Sequence, residues 1–244
     1  MAVSASDLIA YCSLNMPSDN TSVSGGAIDP DTRVYFDPLS AMSALEVKSS
    51  SASDTTVQCT LRGRKSDGTL VSQTVTLSGT TAVPFNTLPQ VFRVLKVSLN
   101  ADPVGTVTIQ TVGGSLIVGT IPPGERGFLY FHREGTASPS AAIDFYYKIF
   151  LKNTNGSAQS LTVPVVTEVA DPVGRITFAL AASNNDSGSV ANRLTSPGLT
   201  FDSNPKNGPA TLAPNDALGV WLKVTHPAGD ASAESSYTLQ LAGV

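Results

Sequence analysis

The chain has 244 residues with a formal net charge of -4, and charged side chains make up 14 % of it, against about a quarter in ordinary soluble domains. With no cluster of Lys and Arg to neutralise a run of phosphates, nucleic acid is set aside as a partner. No apolar run approaches the length of a membrane span, and the opening MAVSASDLIAYCSLN lacks the basic start and apolar core of a secretion signal, so no membrane is expected and the reading is of a protein made in a cytoplasm.

The first thirty residues, rich in Ser, Asn, Gly and Asp, are expected as an extended arm that orders against a neighbour, or as an edge strand around DLIAYCSL. Gly25-Gly26 is no phosphate loop, since neither GxGxxG nor GxxxxGK follows. The acidic run DPDTRVYFD (Asp29, Asp31, Asp37) offers alternating carboxylates but lacks the length, central Gly and final Glu of an EF-hand loop, so turn-forming Asp before a strand is expected instead of a metal site. NNDSG at residues 184–188 is read the same way.

Beyond residue 30 the punctuation is that of an all-β protein, with short Val, Thr, Ile, Phe and Tyr runs between Gly, Pro, Asn and Asp. In VQCTLR, Val57, Cys59 and Leu61 share one strand face, which makes Cys59 a buried thiol. Cys12 and Cys59 stand in no metal-binding or disulfide spacing, and whether they are free or bridged is left open. TLVSQTVTL places Val71, Val75 and Leu77 on one side and Ser72, Thr74 and Thr76 on the other. Asp67-Gly68 before it has the composition of a tight hairpin turn. A second hairpin is expected in DFYYKIFLKNTNGSAQSLTVPVV, turning at Asn155-Gly156.

Each hairpin is followed by a copy of one segment, ADPVGTVTI at residues 101–109 and ADPVGRITF at residues 170–178. Asp-Pro-Val-Gly fits a type I turn, and the following strand has the same apolar parity both times. Downstream, TIPPGERGFLYFHREG resembles TLAPNDALGVWLKVTHPAG. These pairs suggest a diverged duplication: residues 1–30 as arm or edge strand, 31–135 as a first β-domain, and 136–244 as a second, joined near GTASPSAA. The expected fold is two tandem antiparallel β-sandwiches of immunoglobulin-like or jelly-roll plan.

Catalytic chemistry finds little footing. His132 and His226 end comparable strands, where strand-end polarity accounts for them, and neither a nucleophile with its base nor a set of metal ligands occurs at plausible spacing. No catalytic, cofactor or metal residues are therefore assigned, and no cofactor is expected. Asn20-Thr21-Ser22 and Asn155-Gly156-Ser157 match glycosylation sequons but carry little meaning without an export signal. Trp221 has parity opposite to Leu218, Val220, Leu222 and Val224, and is expected to pack on a second face.

The runs SGGAIDPDTRVYFD, VKSSSASDTTVQCTLRGRKSDGTLVSQTVTLSGTT, IPPGERGF, YYKIFLKNTNGS, ADPVGRITFAL, NRLTSPGLTFDS and LGVWLKVTHPAGDA together resemble a group of tailed-bacteriophage and prophage virion proteins, over nearly the whole chain from Ser24. The resemblance implies a non-enzymatic structural part of a phage particle. The first expectation is a capsid decoration or cement protein on the outer head surface, and the alternative is a neck, tail or baseplate accessory protein. Its partners would be the major capsid protein or neck and tail proteins, and copies of itself, in a virion assembled in the host cytoplasm. A second kind of alternative is a host-surface glycan-binding module, with Tyr146, Phe150 and Trp221 as exposed stacking platforms.

Overall fold

The computed structural model describes residues 3–17, 19–35, 43–87, 90–130, 138–229 and 237–243. After a short 3-10 turn (Ala5–Asp7), the chain opens with β1 (Leu8–Asn15) and β2 (Ser24–Tyr35). There follow β3 (Leu45–Ser49), β4 (Gln58–Arg64), β5 (Leu70–Thr76), β6 (Val83–Pro84), β7 (Arg93–Leu99), β8 (Val107–Thr111), β9 (Ile117–Ile121) and β10 (Gly127–Tyr130). The remainder forms β11 (Ile143–Asn153), β12 (Leu161–Thr162), β13 (Val165–Ala170), β14 (Ile176–Asn184), β15 (Ser189–Val190), β16 (Lys206–Asn207), β17 (Thr211–Leu212), β18 (Ala217–His226) and β19 (Thr238–Ala242). The fold is all-β, as the composition and alternation imply. Two compact units divide it, Pro30–His132 and the pair of segments Met1–Asp29 with Arg133–Val244.

In the unit Pro30–His132, the end of β2 is followed in space by β10, β7, β4 and β5, while β6, β3, β8 and β9 form a second sheet. Alternation explains the core between them. Cys59 and Leu61 of β4, Val97 of β7 and Phe128 of β10 pack in one cluster with Val47 of β3, Val107 and Ile109 of β8 and Ile121 of β9. The arrangement is a β-sandwich. One pair departs from the antiparallel expectation, since β10 runs parallel to β2 from Gly127↔Thr32 to Tyr130↔Tyr35.

The β4–β5 hairpin turns where Asp67-Gly68 predicts. It is a five-residue connection, in which Gly68 N–H donates to Lys65 O at 3.0 Å and Lys65 N–H to Thr69 O at 3.0 Å. Gly68 takes φ +83° there, so the turn is a type I turn closed by a left-handed glycine and not a two-residue one.

In the other unit, β14, β18, β11 and β1 are consecutive neighbours. β11 and β18 pair over ten positions, from Ile143↔His226 to Lys152↔Ala217. Both strands are buried on both faces through most of this ladder, so Trp221 packs against Tyr146 and Ala179 while Leu222 on the opposite face is also buried. The residues expected as an arm or an edge strand are here inner strands of a sheet, with β1 between β11 and β2 and paired to β11 from Leu8↔Asn153 to Cys12↔Ile149.

The second hairpin is a correction. β11 does not turn back on β12 or β13, because β12 pairs with β17 and β13 with β16 and β19. Residues 154–160 form a loop held by Asn155, whose Oδ1 accepts Ser157 N–H at 2.8 Å and Gln159 N–H at 3.2 Å. Gly156 does not take a positive φ. A local Asn-Gly signal yields to a ten-position long-range ladder.

The repeated motifs agree in one turn and differ in the other. Pro122-Pro123-Gly124-Glu125 and Ala213-Pro214-Asn215-Asp216 both close from first carbonyl to fourth N–H, with φ +82° at Gly124 and +69° at Asn215; Pro second and positive φ third is the type II pattern. In the second ADPVG copy Gly174 N–H donates to Asp171 O at 3.1 Å, as a type I turn requires. In the first copy, Val104 and Gly105 N–H instead donate to the Asp54 carboxylate at 2.8 and 3.0 Å. The strands that follow also differ in their neighbours: β8 lies between β3 and β9, whereas β14 pairs with β18.

Candidate functional site

The strongest constellation of polar groups in the unit Met1–Asp29 with Arg133–Val244 is centred on Lys148, midway along β11. Its side chain is fully buried. The run FYYKIFL puts apolar residues on both sides of it, so the strand carries the ammonium into the core whichever face it takes. There Nζ donates to Gly26 O at 3.0 Å, Asp186 O at 2.8 Å, Gly188 O at 3.2 Å and Asp186 Oδ2 at 2.5 Å. The rings of Phe150 and Trp221 lie 4.8 and 5.6 Å away, and their faces attract the cation.

Burial pulls the Lys148 pKa below the ordinary lysine value, and the bond and charge of Asp186 push back. Three carbonyl oxygens and a carboxylate are partners for a protonated amine, which has three N–H donors and no lone pair to attack with. The chemistry of this centre is therefore attachment. It ties the NNDSG loop to β2, where Gly26 N–H also donates to Gly188 O at 2.8 Å. Gly25 and Gly26 take φ +91° and +92°, and a Cβ on Gly25 would stand 2.6 Å from the Trp221 ring and 2.8 Å from Gly188 O. The glycine pair serves close backbone approach, not phosphate binding.

Arg193 makes a second attachment in the same unit. Nε donates to Asn20 Oδ1 at 2.7 Å and Nη1 to the Tyr147 hydroxyl at 3.2 Å, with the guanidinium 4.6 Å from the Phe145 ring centre. NNDSG is also bound at its other end, where Asn184 and Asn185 Nδ2 donate to the two Asp216 oxygens at 3.2 and 2.8 Å. In the unit Pro30–His132, Asp54 accepts from Ser49 Oγ at 2.5 Å besides the two ADPVG amides. Burial raises its pKa and these three bonds lower it, with a net value below the usual carboxylate range. Arg33 grips Glu125 with two bonds of 2.6 and 2.8 Å.

The residues singled out in the sequence are distributed as follows. Tyr146, Phe150 and Trp221 are all buried, so they form no exposed stacking platform and the glycan reading loses the aromatics named for it. His226 stacks edge-on against Phe145 at 5.4 Å; His132 and Asp37 lie outside the described residues. Asp29 and Asp31 are in β2, and no cluster of three or more His, Cys, Asp or Glu able to hold a metal occurs among the described residues. Asn20 and Asn155 of the two sequons bond to Arg193 and Asp7. Cys12 and Cys59 are buried and in no disulfide, and burial pushes the Cys59 pKa up to about 12. No helix among the described residues is long and apolar enough to cross a membrane.

Sequence reading missed Lys148. The signal was available: one lysine inside an otherwise apolar and aromatic run has no solvent face to occupy. What the spacing could not provide was its partner, 38 residues away in NNDSG. The outward-facing counterpart of these internal ties is the β8–β9 turn, where Val112 and Leu116 of the connection and Ile117 at the start of β9 are 53, 46 and 60 % exposed.

No family model matches the chain, and no curated protein is significantly similar to it. Among solved structures, the subviral particle of infectious bursal disease virus VP2 aligns at 13 % identity and a TM-score of 0.15, covering 100 % of this chain and 68 % of that one. A TM-score of that size carries no argument about fold or function.

Proposed function

We propose that this protein is a non-enzymatic structural component of a tailed-phage particle, a decoration or cement protein bound to the outer surface of the head. The sequence resemblance, from Ser24 onward, is the source of the reading. The observation that carries it furthest is the division of labour among side chains. Buried charges such as Lys148 and Asp54 bind loops to strands, while large apolar side chains stand exposed on the β8–β9 turn. Three apolar side chains exposed within one turn suit contact with a neighbour.

The test mixes purified protein with phage heads that lack it, pellets the heads and counts the copies bound per head. Stoichiometric binding in lattice numbers supports decoration. A handful of copies, or binding to tails and not heads, overturns it in favour of a neck, tail or baseplate part.

A further inference from the structure

The end of a β-sheet has backbone amides left to offer, and natural proteins guard such ends with charge, proline, a bulge, shortness or a covering segment. Several ends here are guarded. β6 has two residues, one of them Pro84. β9 contains Gly119 and faces a register shift at Ile109/Gln110. β14 has a shift between Leu180 and Asn184, and Phe178 bridges Asp202 on its outer side. β19 lies against a shift at Glu168/Ala170.

β5 is different. It is seven residues long, LVSQTVT, without charge, proline or glycine. It pairs with β4 at every position from Gln58↔Thr76 to Arg64↔Leu70 without a shift, and among the described residues it stands last in its sheet.

Two bonds fix which of its amides are free. Lys65 N–H donates to Thr69 O, and Leu77 N–H donates to Val57 O at 2.9 Å. Antiparallel pairing alternates, so Val71, Gln73 and Val75 turn their N–H and C=O toward β4, while Leu70, Ser72, Thr74 and Thr76 turn theirs outward.

We propose that β5 pairs antiparallel with β5 of a second copy of this chain, about a two-fold axis through Gln73. In that register Leu70 faces Thr76 of the second copy and Ser72 faces Thr74, so every outward amide meets an outward amide and about eight hydrogen bonds form. The side chains match as well. Val71 meets Val75 on the inner face, where both are half-buried against the core, and Ser72 meets Thr74 on the outer face. A shift of two residues either way keeps the amides in phase but sets valine against Gln73, so the apolar pairs specify the register. The absence of charge along β5 means that the two-fold axis brings no like charges together. Gln73 Oε1 already accepts Thr87 N–H at 2.9 Å, which holds that side chain on the inner face. This interface is the self-contact of the particle protein proposed above and rests on that reading for its use, but its test needs no particle.

The full-length protein is examined by sedimentation equilibrium over a range of concentrations as wild type, as S72K/T74K, as S72E/T74E, and as an equal mixture of the two variants. Both positions are exposed, and the urea midpoints of the variants confirm that the fold is kept. The wild type is expected to dimerise, each variant to dimerise at least about tenfold more weakly because like charges then oppose across the axis, and the mixture to recover a heterodimer. A monomeric wild type, an undiminished dimer in the lysine variant, or no recovery on mixing overturns the proposal. A dimer that follows this pattern but leaves heads undecorated refutes the head-decoration reading and leaves the strand pairing standing.

Discussion

Replacing Lys148 with Met tests the buried ammonium most directly. Met keeps the length of the stem against Phe150 and Trp221 but removes the donor from Gly26 O, Asp186 O and Gly188 O, and the counter-charge from Asp186. A buried acceptor left without its donor costs about 1–3 kcal/mol. The Asp186 side chain is 29 % exposed and regains water, so the carbonyls dominate and the expected loss is about 3–5 kcal/mol. With an m-value of about 2 kcal/mol/M in urea, the midpoint falls by about 2 M. Trp221 is the chain's one tryptophan and packs in the same unit, so its fluorescence follows this unit's unfolding. Asp186→Asn added to Lys148→Met should cost little more, because Asp186 acts through the lysine. The pH dependence supplies a second readout. The folded pKa lies below the ordinary 10.5, so between the two values the unfolded chain binds more protons and this lysine's contribution to stability rises with pH. Lys148→Met removes that slope. Gly188 O keeps the Gly26 N–H, so a loss below about 1 kcal/mol would refute the argument that Gly26 O and Asp186 O depend on this donor.

The remaining predictions concern the other attachments. Gly25→Ala brings a Cβ to 2.6 Å from the Trp221 ring at φ +91°; it should cost about 2–4 kcal/mol and shift Trp221 emission, and an unchanged midpoint would show that β2 gives way. Asp54→Asn should cost about 2–3 kcal/mol in the unit Pro30–His132 and flatten its acid limb by far-UV circular dichroism. The folded Asp54 pKa is depressed below 3.8, so its stabilisation is present above that value and lost as pH falls through the folded one; an acid limb equal to wild type would sink the idea. Asn155→Ala should lower stability by about 1–2 kcal/mol, whereas Gly156→Ala, with open space around its Cβ, should stay within about 0.5 kcal/mol; the reverse order would restore the hairpin reading. Cys59, with its pKa at about 12, should not react with a disulfide reagent at pH 8 until the unit opens, and labelling as fast as a free thiol would contradict its burial.

Legibility tracked the range of the forces involved. β4 and β5 were readable because alternation and an Asp-Gly turn act within twenty residues. Val57, Cys59 and Leu61 are buried as their shared face requires, and Val71 and Val75 lie against the same core. The Asn155-Gly156 hairpin failed for the opposite reason. A short turn signal competes with whatever the preceding strand can pair with, and β11 finds β1 on one side and β18 on the other. Segments far apart in sequence supply those partners, and one chain read locally gives no measure of such pairings. The ADPVG repeat misled in a related way, since the first copy's loop is shaped by Asp54, about fifty residues upstream. Lys148 was legible as an anomaly but not as a clamp, because its partners come from β2 and from a loop, both distant in sequence.

The placement of charge ties these findings to the proposed role. Charged residues are scarce in this chain, yet Glu46, Asp54, Glu125, Lys148 and Arg193 are buried. Charge spent inside is withheld from the surface, where it would otherwise guard sheet ends and exposed apolar turns. In a monomer that must stay apart from its neighbours this distribution is a liability. In a protein whose working state is a repeated assembly it has a physical logic: internal ion clamps fix the loops in one geometry, so the uncharged β5 end and the apolar β8–β9 turn are presented preformed, and less conformational freedom is lost when contact is made.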